Sequence, residues 1–128
     1  VSWDATAACK MTYGRRLALY DMAKVGKVGE KLTARPDWSA DLPVGYQVTS
    51  LVLCQDAVLV AGGVYKTGGE PTPDTGFVAV FSRAEGKKVA ECALPAPVAL
   101  GSVAVTRSGV VATLRDSTVC LLGKKAAE

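Results

Sequence analysis

The chain is 128 residues long, 49% hydrophobic and 21% charged, with a formal net charge of +3. That is the composition of a folded domain rather than a disordered tail, and its length suits one domain that buries roughly two thirds of its unfolded surface. Histidine is absent, which excludes a Ser-His-Asp triad, a Cys-His pair, a His-ligated metal and a c-type haem site within the chain. The charge is too small to argue for nucleic acid, and no apolar run approaches the roughly 20 residues of a membrane-spanning helix.

The chain opens on Val1-Ser2-Trp3-Asp4, without an initiator methionine or the regions of a signal peptide. The expectation is a removed leader or a piece of a longer polypeptide. Short β-branched runs then alternate with turns. Residues 7–12 and 17–20 read as the first strands, with a helix over residues 15–27 as the alternative; Gly26 and Gly29 argue against it. Residues 31–44, with Pro36, Trp38 and Pro43, read as a connector anchored by Trp38.

Residues 48–62 carry the clearest pattern. Val48, Ser50, Val52 and Cys54 alternate with Thr49, Leu51 and Leu53, a turn follows at Gln55-Asp56, and residues 57–61 return. Both strands are apolar on both faces, so the hairpin should be covered on both sides. Residues 62–76, GGVYKTGGEPTPDTG, form a loop much longer than a hairpin turn. A second hairpin runs from residues 77–81 through a Gly86-closed turn to residues 87–94, and Pro95-Ala96-Pro97 ends it because proline cannot donate to a ladder. Strands at residues 102–105, 110–114 and 118–122 complete the chain.

The pattern repeats. Leu17-Ala18-Leu19-Tyr20 aligns with Val78-Ala79-Val80-Phe81, and Asp74-Thr75-Gly76-Phe77-Val78 aligns with Asp116-Ser117-Thr118-Val119-Cys120. Gly26-Lys27 and Gly86-Lys87 follow the first two copies at nearly the same distance. A small sheet cannot bury two apolar faces alone, whereas a stack of such sheets can, and blades around an axis are the common solution. The last sheet stops after its third strand, leaving an edge that a further strand would close.

With these residues in view the chain resembles a known family. Residues 77–88, FVAVFSRAEGKK, resemble the strand pair of PQQ-like β-propeller repeats, and residues 110–123, VVATLRDSTVCLLG, are similar to the closing blade of such proteins. Trp3-Asp4 matches the WD dipeptide of WD40-like blades. The resemblance covers roughly 90 of the 128 residues. The family includes quinone-dependent alcohol dehydrogenases and non-catalytic scaffolds such as the outer-membrane assembly lipoprotein. Its dehydrogenases carry docking tryptophans, adjacent cysteines and carboxylate calcium ligands. Here no two cysteines are adjacent, and Ala90 and Glu91 stand where the tryptophan belongs. The resemblance therefore implies a bacterial, extracytoplasmic scaffold, periplasmic or extracellular, that holds no cofactor.

The candidate chemistry is thin. Cys9, Cys54, Cys92 and Cys120 contain no C-x-x-C; the last three are expected as small core residues, with a Cys54–Cys92 disulfide as the main alternative. Asp56, Asp74, Glu85 and Asp116 fall in turns, where carboxylates often bond the local backbone. Arg15-Arg16, Lys87-Lys88 and Lys124-Lys125 read as solvated hairpin ends. The long loop is the best partner-binding candidate, through Tyr65, Lys66, Glu70 and Asp74, the last two also able to hold calcium weakly.

The expected fold is all-β: two to three four-stranded antiparallel sheets, the blades of part of a larger β-propeller, at about residues 1–34, 45–94 and 100–123. The expected function is a non-catalytic scaffold for protein–protein contacts. Its partners would be the remaining blades, on the same or another chain, and a protein bound through the loops; no nucleic acid, membrane span, catalytic residue, metal or cofactor is expected. The alternatives are a fragment of a PQQ- or metal-dependent oxidoreductase and a self-contained small β-sandwich or barrel that serves as a binding module.

Overall fold

The computed structural model describes residues 2–12, 15–23, 35–65 and 75–123. Among these residues there are eleven strands and no helix. The first sheet holds β1 (Ser2–Trp3), β2 (Ala7–Thr12), β3 (Arg16–Asp21) and β4 (Trp38–Asp41). The second holds β5 (Tyr46–Leu53), β6 (Ala57–Val64), β7 (Thr75–Ser82) and β8 (Lys88–Leu94). The third holds β9 (Val98–Thr106), β10 (Gly109–Leu114) and β11 (Val119–Leu122). Each sheet is an antiparallel meander of consecutive strands, and none closes into a cylinder. Among the described residues no helix is long and apolar enough to cross a membrane.

The second sheet is the middle layer, because its strands are apolar on both faces. Val58, Val60, Phe77 and Ala79 point toward the first sheet and pack with Cys9, Leu17 and Leu19. Ala61 and Val78 point the other way and pack with Val98, Ala112 and Leu114 of the third sheet. Burying one such Val, Leu or Phe side chain contributes about 1.5–3 kcal/mol, so the two seams supply the main driving force for stacking. The covered hairpin expected at residues 48–62 is thus present, and the repeated motif falls on the third strand of every sheet: β3, β7 and β11.

Three local features differ from the sequence reading. The expected connector contains β4, a strand of four residues in which half-buried Trp38 and Ala40 alternate with exposed Ser39 and Asp41. Four residues are too few for alternation to stand out from a loop. β1 escaped notice for the same reason, being two residues long. In β5 the strict alternation fails at Thr49. The register with β6 jumps from Val48↔Gly62 to Ser50↔Ala61, so Thr49 is a bulge. Val48 therefore joins the core shared with the first sheet, while Ser50 faces the third.

That bulge ties two sheets together. Thr49 Oγ1 donates to the Val98 carbonyl at 2.8 Å. Ser50 Oγ accepts from the Ser102 amide at 3.2 Å, and Ser102 Oγ donates to Thr113 O at 2.9 Å. Three hydroxyls thus satisfy backbone groups where β5 meets β9, and among the described residues no buried side-chain polar atom is left unpaired.

Candidate functional site

The long loop leaves the second sheet at the end of β6 and returns at the start of β7. Gly62 to Val64 and Thr75 to Gly76 extend these strands, so the loop proper is shorter than the expected residues 62–76. Of the four partner-binding candidates, Lys66, Glu70 and Asp74 lie outside the described residues, and so does the calcium pair. Tyr65 is placed. Its amide donates to Gly45 O at 2.8 Å, and its hydroxyl donates to Gln47 Oε1 at 3.0 Å. The root of the loop is therefore fastened to the start of β5.

Beside this root lies a cleft of about 450 Å³, lined by Tyr46, Val64, Thr75, Phe77, Glu91 and Ala93. The Tyr46 ring tilts against Phe77, with centroids 4.6 Å apart. Its hydroxyl donates to Glu91 Oε1 at 2.8 Å, and Lys88 Nζ donates to Glu91 Oε2 at 2.6 Å. Lys88 beside it, with help from the Tyr46 hydroxyl, holds the Glu91 carboxyl below its usual range. The bond to Glu91 in turn pushes the Tyr46 hydroxyl up. These shifts keep the carboxylate charged and the phenol neutral at neutral pH, so the set can hydrogen-bond a ligand but the phenol is not an activated nucleophile. Sequence reading missed this grouping. The available signal was Glu91, a lone carboxylate between Ala90 and Cys92 in the middle of a strand.

A second cluster fastens the first sheet to the second. Arg83, in the turn between β7 and β8, donates to both Asp4 oxygens at 2.6 and 3.1 Å, to Thr6 Oγ1 at 2.7 Å and to Cys54 O at 2.8 Å. Its own carbonyl accepts from Trp38 Nε1 at 2.7 Å. Trp38 lies flat over Gly86, where a Cβ would come within 2.4 Å of the indole ring and φ is +73°. Glycine is therefore required twice over, by space and by backbone conformation. The anchoring role expected for Trp38 is thus visible, on a strand rather than a connector. A cleft of about 480 Å³ opens beside it, with Asp21, Asp37 and Asp56 at its rim.

The Arg83 guanidinium, followed by the Thr6 and Ala7 amides, holds the Asp4 carboxyl far below its ordinary value of 3.8. A carboxyl depressed in the folded chain stabilises the fold fully above its unfolded pKa, and that contribution is lost as pH falls through the folded value. The seam between the first two sheets should therefore hold on acidification to the ordinary carboxylate range and loosen below it. Fluorescence of Trp38 against pH measures this. In Asp4→Asn the low-pH transition should vanish, while any change driven by other carboxylates would persist.

The remaining charges behave as hairpin ends. Arg16 pairs with Asp41 at 2.9 Å and Lys87 with Glu85 at 3.2 Å, both exposed; such pairs contribute about 0–1 kcal/mol. Asp116 Oδ1 accepts from the Thr118 amide at 2.9 Å, the turn role expected of it. Lys124 and Lys125 lie outside the described residues. Among the described residues no group of three or more His, Cys, Asp or Glu side chains could hold a metal ion.

The cysteines depart from expectation. All four are free thiols. Cys9 is fully buried and its Sγ donates to Ser2 O at 3.4 Å, but Cys54 and Cys120 are half-buried and Cys92 is exposed. The Cys54–Cys92 bridge is excluded by topology: Cys54 follows β5 and Cys92 sits in β8, the opposite edges of one sheet. Three strand spacings put those edges about 14 Å apart, twice the roughly 7 Å a disulfide can span. Burial pushes the Cys9 and Cys54 thiols up. Alkylation of the denatured, unreduced chain should add four adducts by mass, and in the native chain Cys92 should label first and Cys9 last. A mass short by two adducts would reinstate a disulfide.

Neither a family model, nor a curated protein, nor a solved structure matches this chain.

Proposed function

We propose that the chain is part of a β-propeller of the PQQ-like kind, working outside the cytoplasm as a non-catalytic scaffold for protein–protein contacts. The observation that carries this reading is the meeting of the first strands. β5 packs against β9 on one side and against β1 and β2 on the other, and the later strands of each sheet follow in order from that contact. Sequential meanders that touch through their first strands fan around a common line, the arrangement of blades about an axis. The repeated motif on β3, β7 and β11 supports the same reading, since each sheet is then one copy of one unit. The remaining blades come from the same or another polypeptide.

In this reading partners bind at loops on the rim, foremost the loop rooted at Tyr65. The Tyr46–Glu91–Lys88 group beside it offers one acceptor and two donors to a partner backbone or side chain. A photo-crosslinking residue in place of Tyr65, in the full chain and its native cell, should yield a discrete protein adduct. The same residue in place of Arg107, in the turn between β9 and β10, should not. Deleting residues 66–73 should leave the melting transition in place while the adduct disappears. Equal labelling at both positions would overturn the loop as the contact. Quinone absorbance in the purified chain would instead support the oxidoreductase alternative.

A further inference from the structure

We draw no further inference here: the strongest candidate, the apolar groove between the second and third sheets lined by Val78, Ala90, Cys92, Val110 and Leu122, carries none because nothing in the structure shows what covers it.

Discussion

Gly62→Ala is expected to be the most damaging single-atom change in the molecule. Gly62 lies within β6, paired with Val48 on one side and Phe77 on the other. A Cβ there would sit 1.8 Å from the Gln47 carbonyl oxygen and 2.9 Å from its carbon. Both atoms are backbone of the adjoining strand, so no side-chain rotation relieves the clash. β5 must move away from β6, and β5 touches both other sheets. Overpacking costs about 1–3 kcal/mol where side chains can give way, and a backbone clash belongs at or beyond the top of that range. A domain of this size is stable by only about 5–15 kcal/mol. The melting temperature should therefore fall by about 10 °C or more, or the chain should fail to fold. Gly101→Ala is the contrasting variant. Its φ is +63° but nothing lies within 4 Å of the added carbon, so it should cost only the left-handed backbone penalty, about 1–2 kcal/mol. Equal losses from the two substitutions would show that the close approach of β5 to Gly62 is wrong.

Phe77→Ala should cost about 3–5 kcal/mol, the range for deleting a buried phenyl ring. Phe77 is 1% exposed and lies in the core between the first and second sheets. The loss has two parts. The cavity opens in a core cluster that also holds Val58, Val60 and Leu17, which belong to two different sheets and cannot all close over it. The tilted contact with Tyr46 also disappears, a term of about 0.5–1.5 kcal/mol. Chemical denaturation measures the total. Val119→Ala, on the exposed face of β11, should change stability by less than about 0.5 kcal/mol. A loss at Phe77 as small as that would mean that the first sheet does not pack on the second.

The long strands were legible because their apolar residues are their own evidence. Residues 57–61 and 77–81 carry runs that fit a sheet covered on both sides, and both became central strands of the middle layer. The repeat on β3, β7 and β11 was legible for the same reason, since one unit leaves one pattern. β4 was not, because its burial comes from Trp38 meeting Gly86 in a distant turn. The face of Val48 was hidden too, because the bulge at Thr49 is held by a bond to Val98, 49 residues away.

The functional candidates divide along the same line. The loop at residues 62–76 stood out by length and composition, but only Tyr65 of its four named residues is placed. Its neighbours Tyr46, Lys88 and Glu91 lie as many as 45 residues apart in sequence and meet only across the sheet. The Arg83 latch joins residues 79 apart.

Local alternation and turn chemistry therefore determined, from the sequence alone, that this is an all-β chain of short antiparallel meanders with a two-faced middle layer. Which faces meet and which polar groups converge was decided only by the stacking of the sheets. Hydrophobic burial is non-directional, so an apolar stripe announces that it needs a cover without saying which one. Hydrogen bonds between distant strands supply that choice, and they exist only once the chain has folded.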